Sequence, residues 1–221
     1  ESEHAAAVAS HLGTDHTTLH LAPDEALRII AELPKLWDEP FADPSMIPSA
    51  LLCRAAAAHV SVCLGGDGGD ELFAGYNRHA LGVTVNNFSA RLPPRLRSLV
   101  ARGALRLPGS LIVRVGLRLP RRSIPNLGDK VQKAANLMLN IDPVWEQLAS
   151  VWPTSALGVQ PHQPDIGEPS DDMSSIERML LADSCAVLPD QMLVKVDRAS
   201  MASSLEVRSP LLDTRLVKWA W

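Results

Sequence analysis

Residues 60–76 read Val-Ser-Val-Cys-Leu-Gly-Gly-Asp-Gly-Gly-Asp-Glu-Leu-Phe-Ala-Gly-Tyr, an apolar run followed by four glycines within five positions and three carboxylates. The short β-branched run from Val60 to Leu64 suits a buried strand. Glycine at 65, 66, 68 and 69 lets the backbone take positive φ and approach a ligand closely. A helical pattern precedes the run, from about Pro48 through Ala58, and another follows the loop. Helix, buried strand, glycine loop, helix is the repeating unit of a parallel sheet, whose ligands bind beyond the carboxyl ends of its strands. An α/β fold is therefore predicted for residues 1–90.

The flanking segments fit that reading. Glu1 to Leu12 is alanine-rich and helical in pattern, stopped by Gly13, which tolerates the left-handed conformation past a helix end. Thr17-Thr-Leu-His-Leu21 alternates and predicts a short strand. Pro23-Asp-Glu25 opens a helix that runs to about Leu36, with Pro in the first turn and acids near the positive end of its dipole. Residues 91–153 look helical between prolines. The run 154–172 has no periodicity and reads as a surface loop. From Ser174 to Trp221 the pattern is helical again, broken at Pro189 and Pro210, so the C-terminal half, 91–221, is mainly helical.

Several nucleotide and metal loops fail on position. A Walker loop needs Lys-Ser/Thr after its last glycine, where Asp70-Glu71 stands. A dinucleotide fingerprint beginning at Gly66 would need glycine in place of Glu71. An EF-hand beginning at Asp67 would need glycine at Leu72 and Glu at Arg78. What remains is a tight loop bearing Asp67, Asp70 and Glu71. Carboxylates repel phosphate unless a divalent cation sits between, so the chemistry suggested is a Mg²⁺–phosphate or Mg²⁺–pyrophosphate site. The alternative is an acidic first turn that merely complements a helix dipole.

Composition narrows the remaining classes. The chain has 221 residues, net charge −4, three cysteines and 46% hydrophobic residues, enough to bury a core and too apolar for wholesale disorder. Charged residues interrupt every apolar run, so no membrane span is predicted. Cys53, Cys63 and Cys185 are scattered and suggest neither a disulfide framework nor a zinc site, and a reducing, cytoplasmic setting is expected. Eleven Lys/Arg against one acid fall between Arg91 and Lys133, whereas Asp142 to Asp190 holds nine acids and one base. The basic stretch lacks interleaved aromatics, which argues against nucleic acid and for a solvated helical face paired with the acidic segment.

Two further stretches carry possible function. In Leu188–Asp213, Lys195 and Arg198 share a helical face at i and i+3, Asp197 lies on another, and small residues follow. The two cations call for an anionic ligand or for internal pairing with Glu206 or Asp213. In Trp37–Pro48, Asp38 and Asp43 are good turn residues, X-Pro bonds extend Glu39 and Asp43, and Ser45 can cap the following helix.

Together, Asp38-Glu-Pro-Phe-Ala-Asp43, Gly66–Arg78, and Leu188-Pro-Asp190 with Leu193–Ala202 and Leu205–Asp213 resemble the synthetase domain of glutamine-hydrolysing asparagine synthetases. The resemblance covers most of the chain outside residues 91–175. It implies an adenine-nucleotide alpha-hydrolase-like fold, a twisted parallel sheet with flanking helices and a helical C-terminal part. It implies ATP and Mg²⁺ as cofactors, with aspartate adenylated and ammonia from glutamine giving asparagine, AMP and pyrophosphate. By position, Asp70 would bind the Mg²⁺ on pyrophosphate, and Asp67 would lie beside the acyl-adenylate and the incoming ammonia. Glu71 would support the pocket, Gly65, Gly66, Gly68 and Gly69 would border the nucleotide, and Lys195 and Asp197 would contact substrate or its surroundings. A homodimer is compatible with the family. The alternatives are another adenylating amide-bond-forming relative, β-lactam synthetase-like or peptide-cyclising, or a catalytically inactive interaction module on the same scaffold.

The departures shape a further expectation. Gly65 replaces the family's usual Ser, and the Ser-Gly-Gly-x-Asp-Ser pyrophosphate motif, the glutaminase's N-terminal cysteine and a later lysine are not among these residues. The sequence thus reads as a partial synthetase domain without the glutaminase, expected not to make asparagine alone.

Overall fold

The computed structural model describes residues 2–20, 22–108, 127–139, 170 and 172–221. In chain order these form α1 (Ser2–Leu12), α2 (Pro23–Trp37), α3 (Met46–Ala57), β1 (Val62–Leu64), α4 (Gly69–Phe73), α5 (Asn77–Ala90), α6 (Pro94–Arg106) and α7 (Leu127–Leu139). Then follow α8 (Ser175–Ala182), a π-helical segment (Asp183–Leu193), α9 (Val194–Met201), β2 (Glu206–Arg208), a 3₁₀ turn (Pro210–Leu212) and α10 (Thr214–Ala220). Contacts divide the chain into two compact units, Glu1–Gly66 with Asp190–Pro210 and Asp67–Pro189 with Leu211–Trp221.

In the first unit, β1 and β2 pair in parallel, with Val62 opposite Glu206, Cys63 opposite Val207 and Leu64 opposite Arg208. The middle residue of each strand, Cys63 and Val207, packs toward a core of Ile29, Trp37, Ala50, Cys53, Ala199 and Leu205. That core has a simple origin in α2, where Ile29, Leu33, Leu36 and Trp37 recur at helical spacing and form one apolar face. Ala50 and Cys53 of α3 and Ala199 of α9 are small, so these helices can approach one another closely. Gly13 ends α1 at φ +66°, as its position implies.

The second unit is helical. Ala101 of α6 meets Ala135 and Met138 of α7, two alanines at the crossing giving close contact. Leu137 and Met179 form a second cluster with Leu81 and Val83 of α5. A capping box starts α8, the Ser174 hydroxyl accepting from the Glu177 N–H at 3.4 Å and the Glu177 carboxylate accepting from the Ser174 N–H at 2.6 Å.

The described residues are mostly helical with a small parallel sheet, which is compatible with the expected α/β fold, but several local expectations need correction. The described sheet has two strands, and β1 is not buried: Val62 is 42% and Leu64 72% exposed, because β2 is its one described neighbour. Thr17–His20 forms no strand, being exposed and without a partner ladder among the described residues to satisfy its backbone. Conversely, Glu206–Arg208 is a strand inside a stretch expected to be helical, since pairing with β1 satisfies its backbone groups. Pro189 does not break the chain's helical course. It sits within the π-helical segment, where it contributes no N–H to the ladder, yet the helical course continues to Leu193. Most of the loop expected over 154–172 and much of 91–153 lie outside the described residues. Of the basic stretch, Arg91, Arg95, Arg97, Arg102, Arg106, Lys130 and Lys133 are described, and pairing with the acidic segment falls largely outside them.

Candidate active site

The glycine loop is where the chain leaves the first unit for the second. Gly65 extends the β1–β2 ladder, its N–H donating to the Arg208 carbonyl at 2.8 Å. Gly68 takes φ +91°, and the Leu212 side chain fills the space a Cβ would need. A Cβ on Gly69 would stand 2.9 Å from the Leu211 side chain. Gly68 is therefore demanded by its backbone conformation and by packing in the second unit, and a side chain at Gly69 would require the Leu211 side chain to shift, whereas nothing lies within 4 Å of a Cβ placed on the exposed Gly66.

α4 sorts the three carboxylates by environment. Asp67, before the helix, is half-buried, Asp70 is exposed and Glu71 is buried at 2% exposure. Neighbours on a helix point about 100° apart, so one turn turns Glu71 inward and Asp70 outward. The chain then reverses. Ala74 caps α4 at φ +58°, and the Gly75 N–H donates to the Asp70 carbonyl at 3.1 Å. A Cβ on Gly75 would meet the Asp70 carboxyl, with Cγ at 2.8 Å, so the absent side chain makes room for that carboxylate.

Glu71 is held by a residue that spacing did not single out. The Tyr76 hydroxyl donates to Glu71 Oε1 at 2.5 Å. Burial, the hydrogen bond to Glu71 and that carboxylate's charge together push the Tyr76 phenol well above its ordinary range. The Arg78 guanidinium lies 3.7 Å over the Tyr76 ring centre, and its Nη2 stands 2.8 Å from Asp183 Oδ1. Asp183 Oδ2 in turn meets His79 Nε2 at 2.6 Å, both side chains being buried. Asp183 is more than a hundred positions from Arg78 and His79, and no local pattern marks it.

In the first unit, Lys195 Nζ lies 3.3 Å from Asp43 Oδ2 and donates to Ser45 Oγ at 2.9 Å, with Met192 Sδ at 3.3 Å. The Lys195 and Asp43 side chains are 12% and 8% exposed. Asp43 also accepts from the Ser45 N–H at 2.9 Å, the Ser45 hydroxyl at 2.6 Å and Gln191 at 3.2 Å. Burial pushes the Asp43 carboxyl up, but the Ser45 hydrogen bonds, the Lys195 charge and Gln191 outweigh it and leave it below the ordinary carboxylate range.

Two expectations change here. The partner of Lys195 is Asp43, not Glu206 or Asp213, which pair with Arg208 and Arg215. Ser45 is the N-cap residue of α3, but its hydroxyl is turned to Asp43 and makes no cap bond. Asp197 is exposed on α9, and its carbonyl accepts from the Ser200 hydroxyl at 3.1 Å. A cleft of about 390 Å³ borders Trp37, Asp38, Glu39 and Phe41.

Among the described residues no three His, Cys, Asp or Glu side chains converge as a metal cage. No described helix is long and apolar enough to cross a membrane.

Comparison with known proteins gives a consistent answer over the whole chain. Residues 1–221 match the family model described as asparagine synthase. The chain is 30% identical over 216 residues to asparagine synthetase (glutamine-hydrolyzing) 1 of Bacillus subtilis, covering 96% of this chain and 33% of that protein. It is 30% identical over 219 residues to a Mycobacterium bovis protein named "Putative asparagine synthetase (glutamine-hydrolyzing)", covering 96% of this chain and 32% of that one. The chain thus spans about a third of the length of these curated relatives. No solved structure matches it. The match to the asparagine synthase model runs from the first residue to the last, across the glycine loop and both compact units, and the chain belongs to that family.

Proposed function

We propose that this chain is the synthetase portion of an ATP-dependent ligase that makes asparagine. The side-chain carboxylate of aspartate attacks the α-phosphorus of ATP, and pyrophosphate leaves with the electron pair of the broken phosphoanhydride bond. Ammonia released from glutamine elsewhere in the enzyme attacks the acyl carbon of the adenylate. AMP departs, a proton is lost from nitrogen, and asparagine remains. Adenylation is the sensible route because a carboxylate oxygen is a poor leaving group and AMP is a good one. The reading carries with it a wider twisted sheet with flanking helices, to which β1 and β2 would belong, and a cytoplasmic enzyme.

The observation that supports it most is the division of labour in the glycine loop: Asp70 exposed, Asp67 half-buried and Glu71 withdrawn into the fold. Hard carboxylate oxygens, one or two in number, suit a Mg²⁺ that takes its other ligands from phosphate and water. Asp70 would hold that ion, which when bound neutralises charge on the departing pyrophosphate. Asp67 would orient the incoming ammonia or accept its proton. Gly65, Gly66, Gly68 and Gly69 would border the nucleotide, and Lys195 and Asp197 are assigned to the substrate's surroundings.

The test is ATP–pyrophosphate exchange by the full-length protein. Aspartate should stimulate exchange and other carboxylic acids should not, and Asp70→Ala should abolish it. Exchange that ignores aspartate, or that survives Asp70→Ala intact, would overturn the reading.

A further inference from the structure

Glu71 shares the loop's composition with Asp67 and Asp70, yet it cannot play their part, because its side chain is buried and its Oε1 already accepts a hydrogen bond from the Tyr76 hydroxyl. Tyr76 is itself fixed from behind. The Arg78 guanidinium stacks on its ring, Arg78 is anchored to the buried Asp183, and His79 meets the Tyr76 ring edge-on at 5.5 Å while sharing the same aspartate. The turn that carries Tyr76 also carries Gly75, whose N–H donates to the Asp70 carbonyl and whose missing side chain leaves room for the Asp70 carboxyl. One turn thus engages both acidic residues of α4, Glu71 through a side chain and Asp70 through the backbone.

We propose that Tyr76 is a positioning residue: by holding Glu71 inward and closing the Ala74–Tyr76 turn over α4, it fixes the direction in which Asp70 presents its carboxylate. This rests on the reading of Asp70 as the residue that meets Mg²⁺ on pyrophosphate. Glu71 is then an internal anchor and not a reacting acid. Residues that support a metal ligand from behind commonly change metal affinity or activity by about 10- to 100-fold when removed. α4 also packs against α8 and α10 and buries Leu72, so the Tyr76–Glu71 hydrogen bond acts on a helix that is already seated and sets its acidic face.

Two measurements on the full-length protein test the assignment. In the first, Tyr76→Phe should raise the Mg²⁺ concentration for half-maximal exchange about tenfold, with the KM for aspartate little changed. Tyr76→Phe combined with Glu71→Leu should lose no more than Glu71→Leu alone, because both act through one contact. In the second, hydrogen exchange of the Gly69–Phe73 amides should accelerate several-fold in Tyr76→Phe, while those of α6 do not change. Gly75→Ala keeps the phenol and displaces the Asp70 carboxylate directly, so it should reproduce the Mg²⁺ effect. An unchanged Mg²⁺ requirement in Tyr76→Phe, additive losses in the double variant, or unaltered amide exchange in α4 would each overturn the proposal. If the parent protein shows no exchange at all, the functional reading fails, and the amide measurement still decides whether Tyr76 fixes α4.

Discussion

Lys195→Met replaces an ammonium by an apolar chain of similar length at the best-defined charge cluster of the first unit. The substitution leaves Asp43 almost as buried as before, with the Ser45 N–H, the Ser45 hydroxyl and Gln191 still donating to it. Removing one partner of a fully buried pair costs about 3–5 kcal/mol. The 3.3 Å separation and the three remaining donors place this case lower. One charge-assisted hydrogen bond is worth about 1.5–3 kcal/mol, so a loss of about 2–3 kcal/mol is expected. Urea unfolding monitored through the tryptophans measures it directly. Asp43→Asn in the same background should show a coupling of at least about 1 kcal/mol, since the two side chains share the contact. The pH dependence has a definite sign. The folded pKa of Asp43 is depressed, so the stability its charge contributes is complete above the unfolded value of about 3.9 and is lost as pH falls through the depressed value. The cost of Lys195→Met should therefore be larger at pH 7 than at the lowest pH the fold tolerates. A cost under about 0.5 kcal/mol, the range of ordinary surface substitutions, would refute the buried-pair account. So would fully additive losses in the double variant.

Other outcomes follow from the same structure. Gly68→Ala combines a left-handed φ of +91° with collision against Leu212, and should cost about 2–4 kcal/mol in the same unfolding assay. Adding Leu212→Ala should recover the collision but not the backbone strain. Ser174→Ala removes the hydroxyl that accepts the Glu177 N–H at the start of α8, and should lower stability by about 1 kcal/mol. At the other end of the chain, Asp213 accepts from the Arg215 N–H and side chain, and these hydrogen bonds hold its carboxyl down to about 2. An NMR titration should find that midpoint, and Arg215→Ala should move it toward the ordinary carboxylate value.

What could be read along the chain was whatever depends on neighbours in sequence. Gly13 after α1, Pro23 at the head of α2, and the strand–glycine–helix order from Val62 to Phe73 all follow from local backbone chemistry and from period, and the helices stand within a few residues of those positions. The family signal is of the same kind, since it consists of ordered motifs. Tertiary structure decided what depends on partners far apart. Lys195 finds Asp43 across 152 positions, although Glu206 and Asp213 were nearer candidates in sequence. Glu206–Arg208 becomes a strand because β1 offers it a ladder, and Thr17–His20 is not one among the described residues because nothing offers it a ladder. The three carboxylates of the glycine loop look equivalent as letters. They differ because α4 rotates Glu71 toward Tyr76 and Asp70 toward solvent, and which face of so short a helix is buried depends on the residues packed against it. Local propensity is written residue by residue, whereas burial and charge pairing are properties of the neighbours that folding brings together.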